Sequence, residues 1–415
     1  MINLIAGIVL TLSVLCHPPL PIYTAMPAQD IVGAWVGQFR SSGPNGVMEL
    51  RLSSDGAQWK AEARFTGEGR EFSSPVRDLK INDTGISFTT EIGGADVKFV
   101  GKLNGKELGG TLEAFQSVSQ VGTGTWSLTW RGSLQAVAPV AMLQADPDFN
   151  AQVAQPAYTR KHPKVLFDEA HNNHHTTTGR YKPFVDLISN DGYQVAPNKG
   201  RFSKKVLKGY DILVIANAMT PDVWSTGTAF AEEECDAVRD WVKEGGSLLL
   251  IADHTPFGDA AENLAKRFAV EMSKGYTFDP SNNDGKSGAD LLFSRDNKLL
   301  ADHAITRGRG VQNQIQRVVS FAGQSLKGPE GSVALLKLAD TAYDELPPDR
   351  RKVSAAGRAQ GLALAFGKGR VIILGEAGML SAQRRGSRCC MGMNEPGNDN
   401  RQLALNIMHW LSRLL

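Results

Sequence analysis

The chain has 415 residues, with 45 basic and 43 acidic side chains and a formal net charge of +2. That length accommodates two or three domains. A hydrophobic share of 42% against 21% charged argues against disorder. The even charge balance, with no basic stripe interleaved with aromatics, argues against a nucleic-acid partner.

Residues 1–28 read as a secretory signal, with an apolar run from Leu4 to Leu15 followed by a Pro-rich segment and small residues at Ala25 and Ala28. The run is short for a membrane span. The expectation is therefore an exported protein, periplasmic or extracellular, with an uncleaved N-terminal anchor as the alternative and no transmembrane span in the mature chain. The residue before Cys16 is Leu15, not the small residue a lipidated cysteine requires. Three further cysteines, Cys235, Cys389 and Cys390, are too few for a disulfide framework. The adjacent pair reads as free thiols in a loop, with a vicinal bridge as the alternative.

Residues 30–135 carry short alternating segments: Val47 to Leu52, Trp59 to Phe65, Val97 to Leu103, Glu107 to Leu112 and Thr123 to Trp130. Asn104-Gly105 is a strong hairpin signal. No segment of helical period interrupts them, so a small antiparallel β-barrel or sandwich is expected. Its interior should be filled by side chains, with Trp35 as a plug. The Gly33-x-Trp35-x-Gly37 pattern resembles small β-domains attached to exported bacterial hydrolases. Residues 136–160, rich in Ala, Gln and Pro, read as a linker.

From residue 161 to 415 strands alternate with helices. Lys164–Asp168, Tyr210–Ala216 and Ser247–Ala252 are continuous apolar strands. Helical spacing covers Tyr181–Ser189, Ala231–Glu244, Gly258–Ala269 and Asn400–Leu414, and Gly361–Phe366 with Arg370–Leu374 reads as a hairpin. Such alternation predicts an α/β domain with a mostly parallel sheet covered on both sides.

In open α/β sheets ligands bind beyond the carboxyl ends of the strands. The chain has eight histidines, and three of them, His171, His174 and His175, follow the first strand directly. The strand ends supply Asp168, Glu169, His171, Asn173 and His175, then Asn217, then Asp253 and His254, then Glu376. Two chemistries suit this set. Asp168, His171, His175 and Asp253 would ligate a divalent ion such as zinc, with Glu169, His254 or Glu376 as acid–base groups. Without a metal, the imidazoles would act on a substrate while the aspartates fix their tautomers. Asn173, Arg180 and Asn217 are candidate substrate contacts. The bland alternative is that these groups cap helices and tie loops, as Asp253 and Thr255 before a helix would. The spacing His-x-x-His-His in a loop is not the helical His-Glu-x-x-His zinc signature. A nucleophile elbow is missing: Ile251-Ala-Asp-His-Thr-Pro-Phe257 has no Ser or Cys at the turn.

The stretches FDEAHNNHHTTTGRYKPFVDLISNDGY, LKGYDILVIANA, CDAVRDWVKEGGSLLLIADHTPFGDAAENLAKRF and GKGRVIILGEAGMLSAQ together resemble a bacterial domain family of unknown function. That family has a class I glutamine amidotransferase-like fold. It is similar in outline to trehalose-utilisation-type proteins and to the N-terminal domains of gliding and intraflagellar-transport proteins. The resemblance spans Pro163 to Leu415. It implies a three-layer flavodoxin-like domain without glutaminase activity. It also implies that Asp168, His171, Asn173, His175, Asp253, His254 and Glu376 occupy recurring polar positions, with His174 more variable. The expected function is a metal-assisted hydrolase of a carbohydrate or cell-envelope molecule. The alternative is a non-catalytic module binding a glycan or a protein.

Overall fold

A computed structural model describes residues 31–415 apart from 56–57, 68–69, 83–84, 137–142, 221–226, 286–287, 289, 348–349 and 386–387. The expected signal, residues 1–28, lies outside the described residues.

Nine antiparallel strands build the first domain: β1 (Gly33–Ser41), β2 (Gly46–Asp55), β3 (Gln58–Gly67), β4 (Arg70–Pro75), β5 (Arg77–Asn82), β6 (Gly85–Ile92), β7 (Ala95–Asn104), β8 (Glu107–Gln116) and β9 (Ser119–Gly132). Their order is β4-β3-β2-β1-β9-β8-β7-β6-β5. Pairing of β1 with β9 rolls the meander into a nearly closed barrel whose seam lies between β4 and β5. Ser74 on β4 crosses that seam to accept the Glu91 N–H at 3.0 Å. Alternation along β7, buried at Ala95, Val97, Phe99 and Gly101, sends every second residue inward. The interior is filled. Trp35 is fully buried and its indole N–H bonds to the Ile31 carbonyl at 2.9 Å. Phe88 and Phe99 stack at 4.8 Å, and Trp126 meets both edge-on. A Cβ at Gly101 would lie 2.4 Å from the Trp126 ring, so only glycine lets this indole reach the wall. The β7–β8 turn is Gly105-Lys106, because Asn104 pairs directly with Glu107; the predicted hairpin stands with its turn one residue later.

Residues 143–160, expected as part of a linker, lie against the second domain. Leu143–Ala145 pairs with Ala382–Arg385. The Ala157 N–H bonds to Asp191, and the Tyr158 hydroxyl bonds to Ser412 at 2.7 Å.

The second domain is organised around β11 (Lys164–Asp168), β12 (Gln194–Asn198), β13 (Ile212–Ala216) and β14 (Ser247–Ile251), where β10 denotes the short Leu143–Ala145 strand. The order β12-β11-β13-β14 continues to the Gly369–Leu374 strand, and all five are parallel. Beyond them Ala359–Phe366 runs antiparallel, as the Gly367-Lys368 turn dictates. Alternate strand residues enter two apolar clusters. Val165, Phe167, Val214 and Ile372 pack with α1 (Lys182–Asn190) and the C-terminal helix Asn400–Leu411. Leu166, Leu213, Leu250 and Ile373 pack with α3 (Glu232–Glu244) and α4 (Phe257–Lys266); α2 is the single turn Lys204–Leu207. Gly245, at φ 130°, stops α3, a conformation in which glycine has no steric penalty.

Taken whole, the chain is mostly β, which corrects the expected α/β class. The barrel contributes only strands. The long segment between α4 and Ala359 also contributes short strands, such as Tyr276–Phe278, Leu292–Ser294 and Tyr343–Leu346, with the four-residue helix Ala304–Arg307. Their apolar runs are too short to show a period. The three-layer flavodoxin-like arrangement is not established by this topology. Cys390 is disulfide-bonded, which corrects the expected free thiol there, and Cys235 is free and buried in α3. Among the described residues no helix is long and apolar enough to cross a membrane.

Candidate functional site

The loop after β11 points its imidazoles in different directions. His171 turns toward α3. Its Nδ1 lies 2.9 and 3.0 Å from the two Asp168 carboxylate oxygens, and its Nε2 lies 3.0 Å from Glu234 Oε1. Asp168 is fully buried at the end of β11 and also accepts Asn198 Nδ2 at 3.0 Å, from the residue in register on β12. Glu234 sits in the first turn of α3, where its second oxygen accepts the Ala231 N–H and its first also accepts the Phe202 N–H. It thereby satisfies the Ala231 N–H at the helix start and ties in the Phe202 loop. Burial disfavours charge on His171, but the hydrogen bonds and fields of Asp168 and Glu234 outweigh it and raise the pKa. Burial likewise opposes the Glu234 charge, yet backbone donors and His171 hold its pKa low. The result is an imidazolium between two carboxylates, with Phe202 and Phe230 each centred 4.7 Å from the ring. A cavity of about 310 Å³ opens beside it, bordered by His171, Asn172, Arg201, Met219, Phe230 and Glu234.

His174 and His175 turn the other way. His174 Nε2 accepts from Arg180 at 2.8 Å and its ring approaches Phe257. His175 stacks on Tyr181 at 4.6 Å and is almost fully buried, with Nδ1 unpartnered among the described residues. Burial, with His174 and Arg180 adding to it, drives its pKa well down. Asn173 accepts the His171 N–H at 3.1 Å, and its Nδ2 is unpartnered among the described residues.

Asp253 and Glu376 form a second polar group. Ile251 and Leu374 are in register on neighbouring parallel strands, so Asp253 and Glu376, two residues on, stand at matching positions. Asp253 accepts Asn217 Nδ2 and the Ala377 N–H, both at 2.7 Å. Glu376 accepts the Gly378 N–H and, at 2.7 Å, the Met379 N–H. Burial raises both pKa values; for Glu376, where the shift is large, the Asp253 charge adds to it. Asn217 is the knot between loops: it also accepts the Asp253 N–H through Oδ1 and the His174 N–H through its carbonyl. Its backbone sits at φ 49°, which asparagine tolerates better than most residues.

His254 completes this group. Its ring stacks on Tyr276 at 3.8 Å and lies 6.5 Å from Phe257. Nδ1 lies 2.7 Å from the Thr255 carbonyl; a carbonyl only accepts, so Nδ1 carries the proton. Nε2 then holds a lone pair, and the ring is buried. Burial lowers its pKa despite the Asp253 charge, which favours the neutral ring.

Several expectations take a different shape here. The four metal candidates do not converge: His171 spends both ring nitrogens on carboxylates, while His175 stacks on Tyr181. Among the described residues no group of three His, Cys, Asp or Glu side chains is placed to hold a metal ion, so the residues do not fit the expected zinc. Glu169 accepts the Thr177 N–H and hydroxyl and pairs with Lys199. Burial pushes its pKa up, but Lys199 and Thr177 prevail and hold it low, which makes it a weak base. Asp253 does not cap α4; the Thr255 hydroxyl bonds to Asp259 in its first turn. The two histidine loops do adjoin, since His174 and His254 both approach Phe257, but the cavity borders His171 without His254. Glu234 escaped the sequence reading because it sits in the helix run Glu232-Glu-Glu234, where acidic residues are expected for the dipole. His409, on the C-terminal helix, is buried with Nε2 2.6 Å from Asp191 at the end of α1.

No protein-family model and no curated protein matches the chain. Among solved structures it is similar to the N-terminal domain of mmIFT52, at 16% identity and a TM-score of 0.44, over 60% of this chain and 97% of that one. It is also similar to the cytoplasmic protein STM1381 from Salmonella typhimurium LT2, at 14% identity and 0.33, over 60% and 98%. A third is the cytoplasmic protein STM3548 from Salmonella typhimurium, at 11% identity and 0.34, over 60% and 98%. At these values they establish neither a function nor the amidotransferase-like fold.

Proposed function

We propose that the second domain is a binding module whose cavity beside His171 takes a small, hydroxyl-rich ligand of glycan type. The observation that carries this reading is the Asp168–His171–Glu234 chain bordering a space of about 310 Å³. That volume is at the small end of ligand pockets, which range over roughly 300–1,000 Å³. Its walls combine the apolar surfaces of Phe230 and Met219 with the polar groups of Glu234, Arg201 and Asn172. Hydroxyl groups can both donate to Glu234 and accept from Arg201. The saturated hydrogen bonding of His171 favours a rigid recognition surface over a reacting centre. The expected metal-assisted hydrolysis would require His171 to release one of its carboxylates.

The reading extends to the rest of the chain. Coverage of the parallel sheet on both faces supports a flavodoxin-like second domain, and the apolar Leu4–Leu15 run supports export of the whole protein. Isothermal titration of the full chain with a panel of envelope sugars and short glycans tests the binding claim. A sugar that binds wild type and loses at least tenfold in affinity in Arg201→Ala and Glu234→Gln supports it. Unchanged affinity in both variants would refute it.

A further inference from the structure

The parallel sheet borders a second cavity, at the edge opposite the histidines. It holds about 330 Å³ and is walled by the amino ends of β11, β13 and β14, the end of α3 and the residues that close the C-terminal helix. Tyr158, Pro163, Tyr210 and Leu411 give it apolar surface, while Lys161, Asp211, Glu244 and Arg413 give it charge. These four charged residues are exposed, so the space is open to solvent. Among the described residues no two of the four pair with each other; Glu244 has Lys204 at 3.9 Å instead.

Two of these charges are fixed in place and keep bonding capacity. Asp211 precedes β13. Its Oδ2 accepts the Lys164 N–H at 2.8 Å and its carbonyl accepts the Ser247 N–H at 3.0 Å, which ties it to β11 and β14. Its Oδ1 has no partner among the described residues. Arg413 donates through Nη2 to the Gly245 carbonyl at 3.0 Å and to the Lys368 carbonyl. Carbonyls hold the guanidinium without neutralising it, and its Nη1 has no partner among the described residues. One cavity therefore presents a fixed anion and a fixed cation that do not satisfy each other.

We propose that this cavity binds a free α-amino acid with an apolar side chain, as the zwitterion. The α-ammonium pairs with Asp211, and the α-carboxylate pairs with the planar guanidinium of Arg413. The side chain lies among Tyr158, Tyr210 and Leu411. Tyr158 is held there by its hydrogen bond to Ser412. A ligand of one sign fits less well: inorganic phosphate meets Asp211 and Glu244, and a polyamine meets Lys161 and Arg413. A neutral sugar leaves both poles unused. The site shares no residue with the cavity beside His171 and does not rest on the glycan reading.

Isothermal titration of the full-length protein with L-phenylalanine and L-leucine tests the proposal, with 3-phenylpropionate and phenethylamine as analogues that each lack one charge. At least one of the two amino acids should bind saturably. Each analogue should bind at least about fivefold more weakly than L-phenylalanine, a modest factor because the charges are exposed. Asp211→Asn should weaken L-phenylalanine and leave 3-phenylpropionate unchanged. Arg413→Gln should weaken both and leave phenethylamine unchanged. Arg201→Ala, beside His171, should alter none of them, which separates this site from the glycan cavity. Circular dichroism confirms that each variant is folded. No saturable binding of either amino acid to wild type overturns the proposal, as does an analogue that binds as tightly as L-phenylalanine. If Asp211→Asn does not fold, Arg413→Gln decides alone, and unchanged affinity for the amino acid overturns it.

Discussion

The barrel and the edge of the parallel sheet bury side chains for opposite ends. Inside the barrel, Trp35, Phe65, Phe88, Phe99 and Trp126 belong to one apolar cluster, and the indole N–H groups of Trp35 and Trp126 bond to backbone carbonyls, so burial itself is the stabilising term. At the carboxyl edge Asp168, His171 and Glu234 are enclosed as one hydrogen-bonded chain, while Asp253 and Glu376 are held by Asn217 and backbone N–H groups. Burial there costs free energy unless every partner is present. The barrel should therefore respond to lost volume, and the sheet edge to lost partners.

The largest expected effect lies in the barrel. Phe99→Ala removes a ring in contact with Phe65, Phe88 and Trp126 and should cost about 3–5 kcal/mol in urea unfolding; a loss below about 1 kcal/mol would mean a loose interior. Next is Asp168→Ala, which leaves His171 with Glu234 alone. It should cost about 3 kcal/mol, at the lower end for a broken buried pair, because one carboxylate remains.

A smaller effect distinguishes the carboxyl pair. Glu376 has a pKa raised well above the usual carboxylate range, chiefly by burial and then by Asp253. The native state therefore holds a proton there that the unfolded chain has lost. Its contribution is full at low pH and fades as pH rises from the ordinary carboxylate range through the raised native value. Glu376→Gln, which cannot ionise, should flatten that slope, and because its NH2 would face one of the two backbone N–H groups the carboxyl accepts, it should also cost about 1–3 kcal/mol at pH 5. An unchanged slope would place the proton elsewhere. The smallest effect should come from Lys199→Ala. Its ammonium is exposed, so loss of the Glu169 pair should cost under about 1 kcal/mol and be masked by salt.

Much of this contrast was legible in the sequence, and the reasons for the remainder are physical. Alternation at Val47–Leu52 and Val97–Leu103 identified barrel strands because a two-residue period survives wherever one face is buried. The runs at Val165–Phe167 and Ser247–Ile251 identified two of the parallel strands, with Asp168 and His171 after the first and Asp253 after the second; Glu376 follows the neighbouring Gly369–Leu374 strand. What could not be read was which polar groups face each other. His171 and His174 are three residues apart, yet one turns to α3 and the other to α4. Glu234 lies 63 positions from its partner and looked like an ordinary helix start. The segment between α4 and Ala359 hid its strands because two- to five-residue pieces carry too few repeats to show a period.

The most direct test concerns His171, since both the recognition surface and its rigidity depend on the imidazolium held by Asp168 and Glu234. Nitrogen-15 NMR of the full-length protein at pH 6.5, assigned with His171→Gln, reads the protonation of each ring nitrogen. Protons on both Nδ1 and Nε2 in more than half of the molecules are predicted. A neutral ring with one bare nitrogen would contradict the account.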